Sequence, residues 1–345
     1  MFDVNIIRRC AQIAGSLFLN TPYTNNSYFG SSERNLVNKD YGICHYCSIS
    51  TLNQILTNEC LRFTDVRFLN DSTELLEIID LIHRTLKKED YNKSFKDFLL
   101  NSSEMKELEE YKHLYKGVMF DDGEFKNVTY HTYTCSFSTN NDSISMWQYY
   151  ADTASGVNVS FDVAGNIFPC KKLNYVNSME TLDNGIKMYR GIVLYKDNYK
   201  MECIKKLLDE LYNVFKDFQN EIGIFKRYIL HAFRESVYNI RCFFKNENFI
   251  CEDEYRFVIK IPENLLRNAK ECDSIYKTGV FQRGNILIPY VDYKFQKESI
   301  QSINMNPAIK EKNSIFELGI RHLLWLKQLE KVDIFPSSIP IRKYS

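Results

Sequence analysis

Val128-Thr129-Tyr130-His131-Thr132-Tyr133-Thr134-Cys135-Ser136-Phe137-Ser138 is the stretch on which the fold turns. Its β-branched and aromatic residues favour a pleated strand, and Val128, Tyr130, Thr132 and Thr134 fall on one side of it. Outward from it, other strand patterns appear at Tyr41–Ser48, Leu61–Thr64 and Gly156–Phe161, and near 171–176 and 188–195. Further ones lie at Tyr255–Ile261 and near 285–290 and 297–304. Helical patterns fall between them in no regular order. Ser50 is expected to cap a helix over 51–58. Asp71, with Glu74 three residues on, reads as a capping box for a long helix whose stripe is Leu75, Leu76, Ile79, Ile82 and Leu86. A helix is expected over 92–115, a helical block over 198–244 and a last helix over Ile315–Leu329, before an extended tail. No sustained βαβ alternation and no glycine-rich phosphate loop of the G-x-G-x-x-G or Walker kind occurs, which argues against doubly wound nucleotide-binding folds. The pattern predicts an α+β class with a mostly antiparallel sheet. Residues 1–40 read as an N-terminal helix and loop, and residues 41–343 as a single domain, with 198–244 as a helical insertion or cap.

Charge and composition narrow the function. Lys+Arg and Asp+Glu both number 44, so the net charge is zero, which disfavours a dedicated nucleic-acid coat without excluding a local groove. No run of about 18 apolar residues is present, so no membrane partner is expected. Ten cysteines in 345 residues are too sparse for a disulfide scaffold and read as reduced thiols of a cytoplasmic protein. Cys44-x-x-Cys47 has no second ligand pair, so no metal site is expected.

Three segments carry groups that an ordinary core strand would not show. They are Cys44-His45-Tyr46-Cys47-Ser48, Cys135-Ser136-Phe137-Ser138 running on to Met146-Trp147-Gln148-Tyr149-Tyr150, and Glu252-Asp253-Glu254-Tyr255-Arg256. A His, a Tyr pair and a carboxylate suit cleavage of a nicotinamide–ribose bond, which passes through an oxocarbenium-like sugar. Glu254 is the candidate carboxylate that stabilises that cation. Alternation puts Arg256 on the same face, so a strand-end ion pair is the competing reading of Glu254. His45 reads either as the group that holds the dinucleotide or as a hydrogen-bonded, half-buried strand histidine. Tyr149 and Tyr150 lie about 100° apart on a helix, so only one of them points into a given cleft. Core packing is the other reading of both, and of Trp147. Ser138 and Asn140 read as a pocket mouth or as ordinary turn residues, and Asn70-Asp71 with Glu74 reads first as a helix cap.

These residues resemble a bacterial and phage family catalogued as a domain of unknown function. The shared blocks are His45-Tyr46-Cys47-Ser48, Leu61-Arg62-Phe63-Thr64, Phe68-Leu69-Asn70-Asp71 with Glu74, Cys135-Ser136-Phe137-Ser138, and Met146-Trp147 with Tyr150-Ala151. Gly156-Val157, Phe161-Asp162, Glu252-Asp253-Glu254-Tyr255-Arg256 and Ser338-Ile339-Pro340-Ile341-Arg342 complete them. That family in turn resembles the His–Tyr–Glu branch of the ADP-ribosyltransferase superfamily. The resemblance implies a split, mostly antiparallel sheet of ADP-ribosyltransferase type with NAD as substrate in the cleft, and a transferase of the glycosyltransferase class. It implies His45, Tyr150 and Glu254 as catalytic residues. Tyr46, Ser138, Trp147 and Tyr149 join His45 and Tyr150 in contacting NAD, and Glu252, Arg256 and Asn70 face the acceptor. The acceptor is a macromolecule, nucleic acid or protein. The implied setting is a toxin or an anti-phage (antiviral) defence effector with an antitoxin or activator as a possible partner. NAD hydrolysis at the same site, and recognition without chemistry, are the alternatives.

Overall fold

The computed structural model describes residues 42–340 apart from 72, 111–114, 122–123, 153–154, 163–166, 169–179, 182–185, 218–223, 269–271 and 310–313. The expected N-terminal helix, the strand near 171–176 and Arg342 lie outside the described residues. Twelve strands join one sheet: β1 (Ile43–Cys47), β2 (Cys60–Asp65), β3 (Tyr115–Asp121), β4 (Glu124–Ser138), β5 (Val157–Phe161), β6 (Glu180–Thr181), β7 (Lys187–Ile192), β8 (Glu254–Pro262), β9 (Ile275–Arg283), β10 (Ile286–Lys294), β11 (Ile300–Met305) and β12 (Asp333–Pro336). The helices are α1 (Ile49–Asn58), α2 (Glu77–Lys88), α3 (Lys93–Leu100), α4 (Ser103–Glu109), α5 (Ile144–Tyr150), α6 (Asp197–Asp217), α7 (Ile224–Ile240), α8 (Glu263–Arg267) and α9 (Ile315–Leu326). Among the described residues every strand pairing is antiparallel except β11 with β12. No described helix is long and apolar enough to cross a membrane.

β4 is the axis of the sheet, and the sheet divides along it. β8 occupies one edge of β4 over the whole of Tyr130–Ser138. The other edge is shared: β1 touches it at Ser138, β2 at Thr134 and Tyr133, and β3 from Tyr130 downward. Between Ser138 and Thr134 the two halves part. One half runs β1-β5-β11-β12 and the other β2-β10-β9. Cys135, Ser136 and Phe137 therefore face a gap with no strand partner on that edge among the described residues. The sheet is mostly antiparallel, as the sequence pattern predicts, and it opens between β1 and β2.

Alternation along β8 sorts the two faces. Tyr255, Phe257, Ile259 and Ile261 enter a core with Phe137, Phe161 and Ile303, closed by Leu52 and Ile55 of α1 and by Ile320 and Leu324 of α9. Glu254, Arg256 and Val258 look the other way. There α2, α3, α4, α6 and α7 build a second core that reaches Tyr130, Tyr189 and Val258. The helical block thus covers one end of this face and leaves the end at Glu254 and Arg256 for a cavity. Burial of these two apolar layers, at about 25 cal/mol per Å², is the main driving force.

Local signals account for several departures from expectation. Helix α1 starts at Ile49, because Ser48 rather than Ser50 is the cap, accepting from the Thr51 N–H at 3.1 Å. The single helix expected over 92–115 is two, since Asn92 and Ser102 each cap a separate segment. The stripe of α2 is Ile78, Leu81, Ile82 and Leu86, and Leu76 is exposed. The Asp71–Glu74 capping box does not form. Asp71 instead accepts from the Thr73 and Asn246 N–H groups, and Glu74 turns inward. The exposed strand β9 was not anticipated, because its outward residues break the apolar pattern.

Gly156 sits where a Cβ atom would lie 1.3 Å from the Ala151 carbonyl oxygen. This close approach packs the start of β5 against the residue that follows α5. Gly156→Ala is expected to cost about 2–3 kcal/mol, read as a lowered unfolding midpoint in thermal or urea melts. An unchanged midpoint would show that the turn has room to give.

Candidate functional site

A cavity of about 200 Å³ opens at the split. Its walls are β1 at Cys44–Tyr46, β2 at Arg62 and Thr64, β4 at Thr134–Phe137, the loop Phe68–Asn70, Tyr150 of α5, and Lys245, Glu252, Glu254, Arg256 and Arg283. The volume is below the ~300–1,000 Å³ of sites that enclose a drug-sized ligand. A ligand larger than this volume would place only one end inside and lie partly across the mouth.

The floor is a ladder of buried charges. Arg256, 1% exposed, donates from Nε to Glu254 Oε1 at 2.7 Å and from Nη2 to Glu254 Oε2 at 2.8 Å. Its Nη1 donates to the Cys242 carbonyl at 2.6 Å and to Glu74. Lys245 Nζ then bridges the two acids of the Glu-x-Glu motif, at 2.5 Å from Glu252 Oε2 and 3.0 Å from Glu254 Oε2. Tyr150 donates its hydroxyl hydrogen to Glu252 Oε1 at 2.8 Å and accepts from Asn70 Nδ2 at 3.3 Å.

Backbone geometry delivers these groups. Asp253 adopts φ 44°, a left-handed turn that Asp tolerates, and its carbonyl accepts from the Thr139 N–H at 2.7 Å. Glu252 and Glu254 consequently both reach the cavity. Lys245 is held where Leu194 and the 243–245 segment exchange two backbone hydrogen bonds, at 2.7 and 3.1 Å. Leu75 stands at φ 72°, a costly conformation for a non-glycine residue, immediately after Glu74. That turn directs Glu74 to Arg256.

Three carboxylates face two cations, and their ionisation follows. Burial pushes the Glu254 carboxyl up, but Arg256 and Lys245 outweigh it and hold it at about 2. Burial, with the nearby charge of Glu254, pushes Glu74 up to about 7 despite Arg256. The proton that relieves the excess negative charge thus sits on Glu74. Burial works against the Lys245 ammonium, yet the surrounding carboxylates keep its pKa above the ordinary lysine value. Burial and the Glu252 carboxylate raise the Tyr150 phenol, so Tyr150 stays protonated.

His45 reaches the cavity through the gap. On β1 it faces away from Cys44 and Tyr46, with its ring 5.5 Å from Phe137. Its Nδ1 lies 3.1 Å from the Ser136 carbonyl oxygen, on the segment of β4 that the split leaves without a strand. A carbonyl only accepts, so Nδ1 carries the proton. Burial lowers the His45 pKa, and Nε2 is then a free acceptor in the neutral ring.

The cavity brings together His45, Tyr46, Tyr150, Glu252, Glu254, Arg256 and Asn70. Three residues expected to contact NAD do not line it. Tyr149 is 77% exposed, because the helical twist that turns Tyr150 inward turns Tyr149 to solvent. Trp147 is buried edge-on to Tyr46 and donates Nε1–H to Asp142 at 2.8 Å. Ser138 is fully buried and donates to the Glu252 carbonyl at 2.8 Å, fixing the chain that carries the acid. Asp142 also accepts from the Ser337 and Ser338 hydroxyls at 2.7 and 2.8 Å, which docks the Ser-x-Ile-Pro tail beside the site. Cys44 and Cys47 are buried free thiols, and no cluster of three metal-ligating groups occurs among the described residues. Sequence reasoning missed Lys245, Arg283 and the inward role of Glu74. A lysine directly after Cys242-Phe243-Phe244 was the available signal for the first.

Residues 146–257 match the family described as "Protein of unknown function (DUF2971)". The matched segment runs from α5 into β8 and holds Tyr150, Lys245, Glu252, Glu254 and Arg256, but neither His45 nor Glu74. No curated protein and no solved structure matches the chain.

The Glu74 carboxyl lets go of its proton near 4.5 when unfolded and near 7 when folded. Its protonation therefore stabilises the fold fully below about pH 4.5, and that contribution is lost as the pH rises through 7. Glu74→Gln is expected to melt higher than the wild type at pH 8, with the gap closing by pH 5. A gap independent of pH would overturn the assignment. Lys245→Met strips the shared cation from two buried acids and is expected to cost on the order of 3–5 kcal/mol in urea unfolding at pH 7.

Proposed function

We propose that this cavity cleaves the nicotinamide–ribose bond of NAD and transfers the ADP-ribosyl group to a macromolecule, nucleic acid or protein. The observation that carries this reading is the convergence of His45, Tyr150 and the Glu252–Glu254 pair, from distant parts of the chain, on one cavity at a split in the sheet. The N-glycosidic bond breaks with its electron pair leaving on nicotinamide, and positive charge develops on the sugar. Glu254, kept ionised by Arg256 and Lys245, stabilises that charge. The Tyr150 ring packs on nicotinamide, and His45 accepts a ribose hydroxyl at Nε2. The acceptor's nucleophile then adds to the sugar carbon, and its proton passes to Glu252. Such an activity fits a toxin or an antiviral defence effector restrained by an antitoxin or switched on by an activator.

One observation favours recognition without chemistry. Both oxygens of Glu254 are already bonded by Arg256 and Lys245, as in a purely structural ion pair. Labelled NAD incubated with whole-cell lysate separates the readings. Transfer gives nicotinamide release with label in the protein, RNA or DNA fraction, and Glu254→Gln, checked for folding, loses it by about 10²-fold or more. Nicotinamide release without label identifies a hydrolase. No release by the folded wild type sinks both and leaves recognition.

Tyr150 provides a second test. If the ring is what acts, Tyr150→Phe keeps turnover within about tenfold while Tyr150→Ala loses about 10²-fold or more. Equal losses in the two variants would place the role in the hydroxyl instead.

A further inference from the structure

The cavity has a second charged wall. Arg283 ends β9 immediately before Gly284, which takes φ 58° to turn the chain into β10. From that hairpin tip Arg283 reaches back over the mouth. Its Nη2 donates to the Phe68 carbonyl at 3.0 Å and its Nη1 to Asn70 Oδ1 at 3.3 Å. Both acceptors are neutral, and among the described residues no carboxylate pairs with this guanidinium. The neighbouring Arg62 differs. It is neutralised by a two-pronged pair with Asp292, at 2.8 and 3.0 Å, and lies 3.7 Å over the Tyr290 ring. Arg283 is therefore oriented but not neutralised, which is the state of a guanidinium prepared for an anion.

The lining thus carries carboxylates on the Glu252–Glu254 wall and an unmatched cation on the Arg283 wall. A ligand with a sugar at one end and a phosphate group beyond it matches that polarity. The small volume also leaves part of such a ligand at the mouth, where Arg283 stands. A chain of hydrogen bonds joins the two walls: Arg283 to Asn70, Asn70 to Tyr150, and Tyr150 to Glu252. An anion drawing Arg283 away from Asn70 would free that amide and alter the setting of Tyr150.

We propose that Arg283 is the phosphate-binding residue of this cavity, taking the diphosphate of a dinucleotide whose sugar end lies against Glu252 and Glu254. The identity of the dinucleotide as NAD rests on the function proposed above, whereas the phosphate site rests on the geometry of Arg283 alone.

The test is titration calorimetry of ADP-ribose, inorganic pyrophosphate and nicotinamide riboside into the wild type, Arg283→Gln and Arg283→Lys, each checked by thermal melting. Arg283→Gln is expected to weaken ADP-ribose and pyrophosphate by about 10- to 100-fold, as for a lost hydrogen bond to a charged group. Binding of nicotinamide riboside, which has no phosphate, stays within about threefold. Arg283→Lys recovers part of the loss, because an ammonium keeps the charge without the fork. Equal binding of pyrophosphate by the wild type and Arg283→Gln, or none by the wild type, would overturn the assignment. So would Arg283-dependent binding of a single-stranded oligonucleotide with no binding of ADP-ribose. Arg283-dependent pyrophosphate binding without nicotinamide release from NAD would keep the phosphate site and reject the NAD reading. NAD turnover with an unchanged KM in Arg283→Gln would do the reverse.

Discussion

A fully buried guanidinium organises this protein. Arg256 is out of reach of water, so its donors must be met within the chain, or the charge would not be tolerated there. The groups that meet them come from three places: Glu254 two residues away, the Cys242 carbonyl at the end of the helical block, and Glu74 from the turn before α2. Satisfying one side chain therefore fixes the helical layer, that turn and β8 relative to one another. The same network runs on through Lys245, Glu252, Tyr150 and Asn70 to Arg283. Fold and cavity are joined by one continuous set of hydrogen bonds.

The second constraint is the division of the sheet at β4. Two strands that diverge from one edge leave a stretch of backbone without a ladder partner, and its carbonyls need donors. His45 supplies one to Ser136. The gap also lets a residue on the apolar face of β1 reach a cavity on the other side of the sheet. A continuous sheet would have buried His45 in the core beside Phe137. The split thus creates the cleft and admits the histidine to it.

Much of this was legible because it follows from short-range rules. The period-2 pattern of Val128–Ser138 and of Tyr255–Ile261 identified the two paired strands at the centre of the sheet, and the irregular order of elements gave the antiparallel α+β class. Alternation placed Glu254 with Arg256, and the 100° helical step required Tyr149 and Tyr150 to part. What was illegible depends on contacts remote in the chain. Asp71 and Glu74 have ideal spacing for a capping box, but Arg256, 182 residues away, draws Glu74 inward. Lys245 looks like any lysine at a helix end until Leu194 docks its backbone beside β7. Ser138 and Trp147 stand in motif blocks, yet their hydrogen bonds go to the Glu252 carbonyl and to Asp142, outside the cavity lining. Arg283 lies in a hairpin with no motif, and only the fold carries it to the cavity mouth.

The charge ladder implies a division of labour between the two acids of the Glu-x-Glu motif. An ionised carboxylate offers about four acceptor positions. Glu254 gives three of them to Arg256 and Lys245, and the Ser136 hydroxyl also favours its ionised form. It is locked and charged, so in the function proposed above its influence on a developing sugar cation would be electrostatic and would need no rearrangement. Glu252 accepts one hydrogen bond at each oxygen, from Tyr150 and from Lys245, and keeps room for another donor. The buried pair that makes Glu254 resemble a structural residue is thus compatible with a chemical role, provided that the proton-handling role belongs to Glu252. Fixed charge from one acid and open lone pairs from the other are what stepwise glycosidic transfer requires of a site without a protein nucleophile.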